Sequence, residues 1–117
     1  MTALTPDIIV QILGGNTMTA RRRPKREAHS AWISVVSLER PQLAYLNSTD
    51  LDGRCSLRVR TFEIADVELK YEDVDDSVIL DSERFSPNSF RELQALIDRL
   101  EVDASTLTFK ANSGYPL

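Results

Sequence analysis

Arg54-Cys55-Ser56-Leu57-Arg58-Val59-Arg60-Thr61-Phe62-Glu63-Ile64 is the stretch on which the fold turns. It opens in strict alternation, with Cys55, Leu57 and Val59 on one face and Arg54, Ser56, Arg58 and Arg60 on the other. That is the period of a strand with one buried side. Phe62 and Ile64, then Val67, Leu69 and Tyr71, continue it with a slip near Ala65-Asp66 that predicts a bulge. On this reading Phe62, Ile64, Val67 and Leu69 face inward, while Glu63, Asp66 and Glu68 line the outside.

Outward from this strand, Ala31 to Leu38 is rich in Trp, Ile and Val and reads as another strand. Pro41 marks a turn into Leu43-Ala44-Tyr45-Leu46, and Asp50-Leu51-Asp52-Gly53 is a second turn. Asp73-Val74-Asp75-Asp76 precedes a short strand Val78-Ile79-Leu80, and Thr106 to Lys110 is a last strand with Leu107 and Phe109 inward. Turns this closely spaced favour antiparallel hairpins over parallel crossovers.

Two helices flank the strands. Near the start, Thr5 caps, Pro6 takes the first helical position, Ile8, Ile9, Ile12 and Leu13 share a face, and Gly14 suits a left-handed end. Near the end, Ser86 caps with Pro87 first, and Phe90, Leu93, Leu96, Ile97 and Leu100 form one stripe. Ser89-Phe90-Arg91-Glu92 also fits a capping box, which would start that helix three residues later. The expected fold is α+β: a curved antiparallel sheet of about five or six strands, one long C-terminal helix packed on it, and a short N-terminal helix. Residues 14–30, polar and basic, read as a loop, so residues 1–30 are expected to be a short helix plus a flexible basic arm, and 31–117 a single α+β domain.

The chain has 117 residues, 42% hydrophobic and 27% charged, the make-up of one ordinary globular domain. No apolar run reaches membrane-spanning length, and Cys55 is the single cysteine, so a cytoplasmic location is expected. With His29 the only histidine, two-His metal motifs are excluded and routes to acid–base catalysis are few. Neither a phosphate-binding glycine loop nor a nucleophile elbow is present. The expectation is a non-catalytic protein without metal or cofactor.

Charge is the more telling feature. The net charge of −4 divides into five cations against one acid in residues 1–26 and nine against seventeen in residues 27–117. The acids concentrate in residues 63–83. Glu63, Asp66, Glu68, Glu72, Asp73, Asp75 and Asp76 would make a negative patch that engages a basic or nucleic-acid-binding protein. Compact acidic proteins of this kind are typical of inhibitors, immunity proteins and phage-encoded antagonists, which is the functional class expected here. The bland alternative is a solvated face that keeps a small protein in solution. Arg54, Arg58 and Arg60 would cross-pair with Glu63 and Glu68 on the next strand. The Thr106–Lys110 edge could pair across a two-fold axis into a homodimer.

The alternative function lies in Arg21, Arg22, Arg23, Lys25 and Arg26, a run able to hold phosphates of a small ligand or of DNA or RNA. Arg22-Arg23-Pro24-Lys25-Arg26 ahead of a strand, with a later turn ending at Gly53, is loosely similar to PilZ domains. Those domains bind a cyclic dinucleotide through an RxxxR arm and a D/N-x-S-x-x-G turn. The resemblance implies that Arg22 and Arg26 clamp phosphates. Ser48 and Asp50 stand where that turn calls for Asp or Asn and for Ser, so half of the motif is missing.

Overall fold

A computed structural model describes residues 3–38, 54–70 and 76–116. Helix α1 (Pro6–Leu13) starts as its sequence dictates: the Thr5 hydroxyl accepts from the Ile8 amide, and Pro6 occupies the first turn. It ends one residue later than expected. Gly14 keeps a right-handed φ of −74°, and Gly15, at φ 94°, makes the left-handed turn.

Strand β1 (Met18–Arg22) lies inside the stretch expected to be a mobile loop. It pairs antiparallel with β2 (His29–Ser37), Met18 opposite Val35 and Arg22 opposite Ala31. Met18, Thr19 and Ala20 are all buried, so three small or apolar residues anchor the strand and the arginines ride on it. The basic run is therefore half strand and half hairpin turn. β3 (Leu57–Ala65) pairs with β2 over nine residues, from His29 opposite Ala65 to Ser37 opposite Leu57.

β3 stops at Ala65 without a bulge. Residues 66–70 form a short 3-10 helix, which leaves Val67 exposed and ends the expected alternation. The bulge falls instead between β3 and β4 (Leu80–Phe85), at Thr61/Glu63, where Asp81 takes φ 51°. β5 is only Thr108–Phe109, paired with β1; Leu107 is buried but Phe109 is largely exposed. Among the described residues the sheet has five antiparallel strands in the order β4-β3-β2-β1-β5.

No long C-terminal helix is present among the described residues. α2 (Phe90–Arg99) has ten residues, and its cap is Ser89, whose hydroxyl accepts from the Glu92 amide at 3.1 Å. The later of the two readable starts is used because Pro87 is buried against β3, its carbonyl accepting from the Leu57 amide. A one-turn helix α3 (Lys110–Ser113) and Gly114, at φ 73°, close the fold.

Both faces of the sheet carry a core. On one, Met18, Ala20, Ile33, Val35, Leu57 and Val59 meet α1 and α2 through Ile8, Ile9, Ile12, Phe90, Leu93 and Ile97. On the other, Trp32, Phe62 and Ile64 are buried with Leu69, Val78, Ile79 and Tyr115 against them. The interior strand β3 is thus enclosed above and below, so Thr61, Phe62, Glu63 and Ile64 are all buried in succession. Among the described residues no helix is long and apolar enough to cross a membrane.

Candidate functional site

Glu63 is the first predicted site residue to change place. It is only 3% exposed, on the helix side of β3, and lines no outer surface. Its two carboxylate oxygens accept the backbone N–H groups of Lys25 and Arg26, each at 3.1 Å. The Arg26 guanidinium stands 3.5 Å from Glu63 and 2.8 Å from Asp81. Two main-chain donors and one cation compensate an acid that burial alone would make costly. The hairpin tip between β1 and β2 is consequently tied to β3 and β4. Hydrogen bonding to Asp81, then its charge, raises the Arg26 pKa, and the same bond holds the Asp81 carboxyl below its ordinary range.

Beneath this tie lies a small cavity of 20 Å³ lined by Arg22, Lys25, Glu63, Asp81 and Glu83 among others. The buried Arg22 Nε has no partner among the described residues. A space of that size holds about one water molecule, not a ligand. Arg26, one of the two arginines expected to clamp a phosphate, is paired here with Asp81 and Glu63. Ser48, Asp50 and Gly53, the other half of that resemblance, lie outside the described residues. Arg23 and Lys25 are exposed on the hairpin.

Of the remaining acids, Asp66 is exposed and accepts from the Ser30 hydroxyl at 2.6 Å, and Glu68 is half-buried in the 3-10 turn. Glu72, Asp73 and Asp75 fall outside the described residues, as does the side chain of Asp76. Arg58 and Arg60 do not pair with Glu63, because they project from the opposite face of β3.

That opposite face gathers a cationic group which composition does not reveal. Register places Arg21 beside Trp32, Trp32 beside Phe62, and Arg60 directly across from Arg84. Arg58, two residues along β3, shares the face. The Arg21 guanidinium sits 5.2 Å from the Trp32 ring centre, and Arg60 sits 5.3 Å from that of Phe62. Arg60 also donates to Ser82 at 3.4 Å. None of Arg21, Arg58, Arg60 and Arg84 makes an ion pair among the described residues. Like charges directly opposite on neighbouring strands destabilise a sheet. An anion lying between them reverses that sign. Alternation of Arg58 and Arg60 is visible in the sequence; Arg84 joins them only through the β3–β4 register.

His29 points Nδ1 at the Glu27 carbonyl, 2.7 Å away, and Cys55 is buried. No group of three or more His, Cys, Asp or Glu side chains able to hold a metal ion occurs among the described residues. The chain matches no protein-family model, no curated protein and no solved structure.

Proposed function

We propose that this chain is a non-catalytic binding module that holds a phosphate-bearing polyanion, a single-stranded nucleic acid, on the arginine-bearing face of its sheet. The observation that carries this reading is the cross-strand pair Arg60–Arg84, neither of which makes an ion pair among the described residues, extended by Arg58 and Arg21 on the same face. Arginine suits the task, because its planar fork meets phosphate oxygens two at a time. Trp32 and Phe62 are buried beneath the cations, so they brace the guanidinium groups and present no surface for stacking bases. Recognition of this kind reads backbone charge, not base sequence.

Fluorescence anisotropy with a labelled single-stranded oligonucleotide, titrated across salt concentrations, tests the reading. The triple variant Arg58→Gln, Arg60→Gln and Arg84→Gln is expected to weaken binding and to flatten the log–log salt dependence by about 0.7 per lost phosphate contact, so by about two in all. Unmodified protein that fails to bind at low salt, or a variant with an unchanged slope, overturns it. A cyclic dinucleotide added as competitor separates the small-ligand alternative.

A further inference from the structure

Among the described residues, strand β4 is the outermost strand on one side of the sheet, and its Asp81, Ser82, Glu83 and Arg84 are all exposed. Its far edge carries main-chain donors and acceptors that no described strand takes up. Beside it, on the helix side, runs an open groove of 470 Å³ between the end of β4 and α2. Phe85, Pro87, Ala95 and Leu96 form its apolar lining, and Glu92 and Arg99 stand among its polar wall. Phe85 belongs to both features: it closes β4 and, opposite Val59, points to the helix side.

We infer that the free edge of β4 and the adjoining groove form one docking site, which takes an extended segment of a partner protein bearing an apolar side chain with basic residues two positions away. A strand added to this edge sends alternate side chains to the helix side. One of these lies next to Phe85 and enters the groove. The next along that face stands next to Glu83, which is exposed and has no ion pair among the described residues. Asp81 lies at the bulge, where the alternation breaks, and is already bonded to Arg26. The carboxylate of Glu83 selects lysine or arginine in the guest.

A second copy of this chain does not suit the edge. In a two-fold antiparallel pair only residues with the same facing lie opposite one another. The two registers that overlap β4 most fully set Asp81 against Glu83, or Glu83 against its own copy. Both place carboxylates together, which opposes self-pairing. The site is independent of the arginine-bearing face, since Glu83 and Phe85 project from the other side of the sheet.

The probe is a fluorescein-labelled peptide of threonines with a central leucine and a lysine two positions away on each side, a pattern that reads the same in both chain directions. It is expected to bind the unmodified protein and to perturb and protect β4 and α2 amides in NMR spectra. Ala95→Arg, at an exposed helix position, fills the groove and should weaken binding about tenfold or more. Glu83→Lys should weaken it comparably, and a probe with glutamate in place of lysine should recover binding to that variant. Arg58→Gln with Arg60→Gln should leave peptide binding intact, which separates this site from the nucleic-acid face. Absence of binding, amide changes confined to other elements, failure of the charge swap, or a dimer formed through β4 overturns the inference. Thermal melts check that Ala95→Arg folds, and Glu83→Lys carries the test if it does not.

Discussion

At Glu63 a carboxylate almost shut off from water accepts two main-chain donors from the hairpin that follows β1. Glutamine has the same shape but must turn its NH₂ toward one of those donors. Glu63→Gln is therefore expected to lower stability by about 1.5–3 kcal/mol, the scale of hydrogen bonds to a charged group. A urea midpoint that does not move would contradict the tie. Asp81, exposed beside Arg26, adds a pH dependence of definite sign. Its pKa is lower in the folded chain than in the unfolded one. Its contribution is complete above the ordinary aspartate range and is lost as pH falls through the folded value. The gap in urea midpoint between unmodified protein and Asp81→Asn should thus narrow as pH drops from 6 to about 3. A gap that stays constant would mean the carboxylate charge at Asp81 does not act. Neither role is readable from residue type, because Glu63 and Asp81 meet through a bulge.

Among the elements, α2 offers the sharpest test of how capping chooses a helix start. Ser89 holds the Glu92 amide, while Ser86 is exposed ahead of Pro87. Ser89→Ala should cost about 1 kcal/mol and Ser86→Ala only a few tenths, measured by thermal or urea unfolding. Equal costs would place the cap wrongly. Both starts were legible in the sequence, and what decided between them was the buried Pro87 carbonyl, a tertiary contact. The same limit explains β1. Met18-Thr19-Ala20 is too short a signal to reveal a strand next to five cations, yet pairing to β2 supplies its ladder. Alternation at Cys55, Leu57 and Val59 identified β3 correctly as far as one face was polar. Beyond Thr61 the strand is covered on both sides, so a rule of one buried face places Glu63 outside when it lies within. The helix stripe Phe90, Leu93, Leu96 and Ile97 was fully legible, since its spacing needs no partner to be recognised.

On the scale of the whole molecule, the sheet gathers four cations on one face. Arg21, Arg58, Arg60 and Arg84 project from that side, while Arg22 and Glu83 project from the other, so the net charge of −4 does not describe the arginine-bearing surface. Long-range repulsion of a polyanion by the whole chain is damped beyond a Debye length of about 8 Å at physiological salt, while contacts at the arginines persist. The oligonucleotide titration accordingly measures the local face and not the average. The expected five or six strands and flanking helices followed from turn spacing and periodicity; which acids and bases share a side required the register. Trp32 has a further consequence. It is the only indole in the chain, fully enclosed, stacked on Phe62 with ring centres 5.8 Å apart, and its N–H has no acceptor among the described residues. The chain thus carries a built-in optical reporter, expected to emit at short wavelength and to be shielded from dissolved quenchers, seated directly under Arg21. Any guest that shifts that guanidinium announces itself in the light the protein already gives off, with no dye attached.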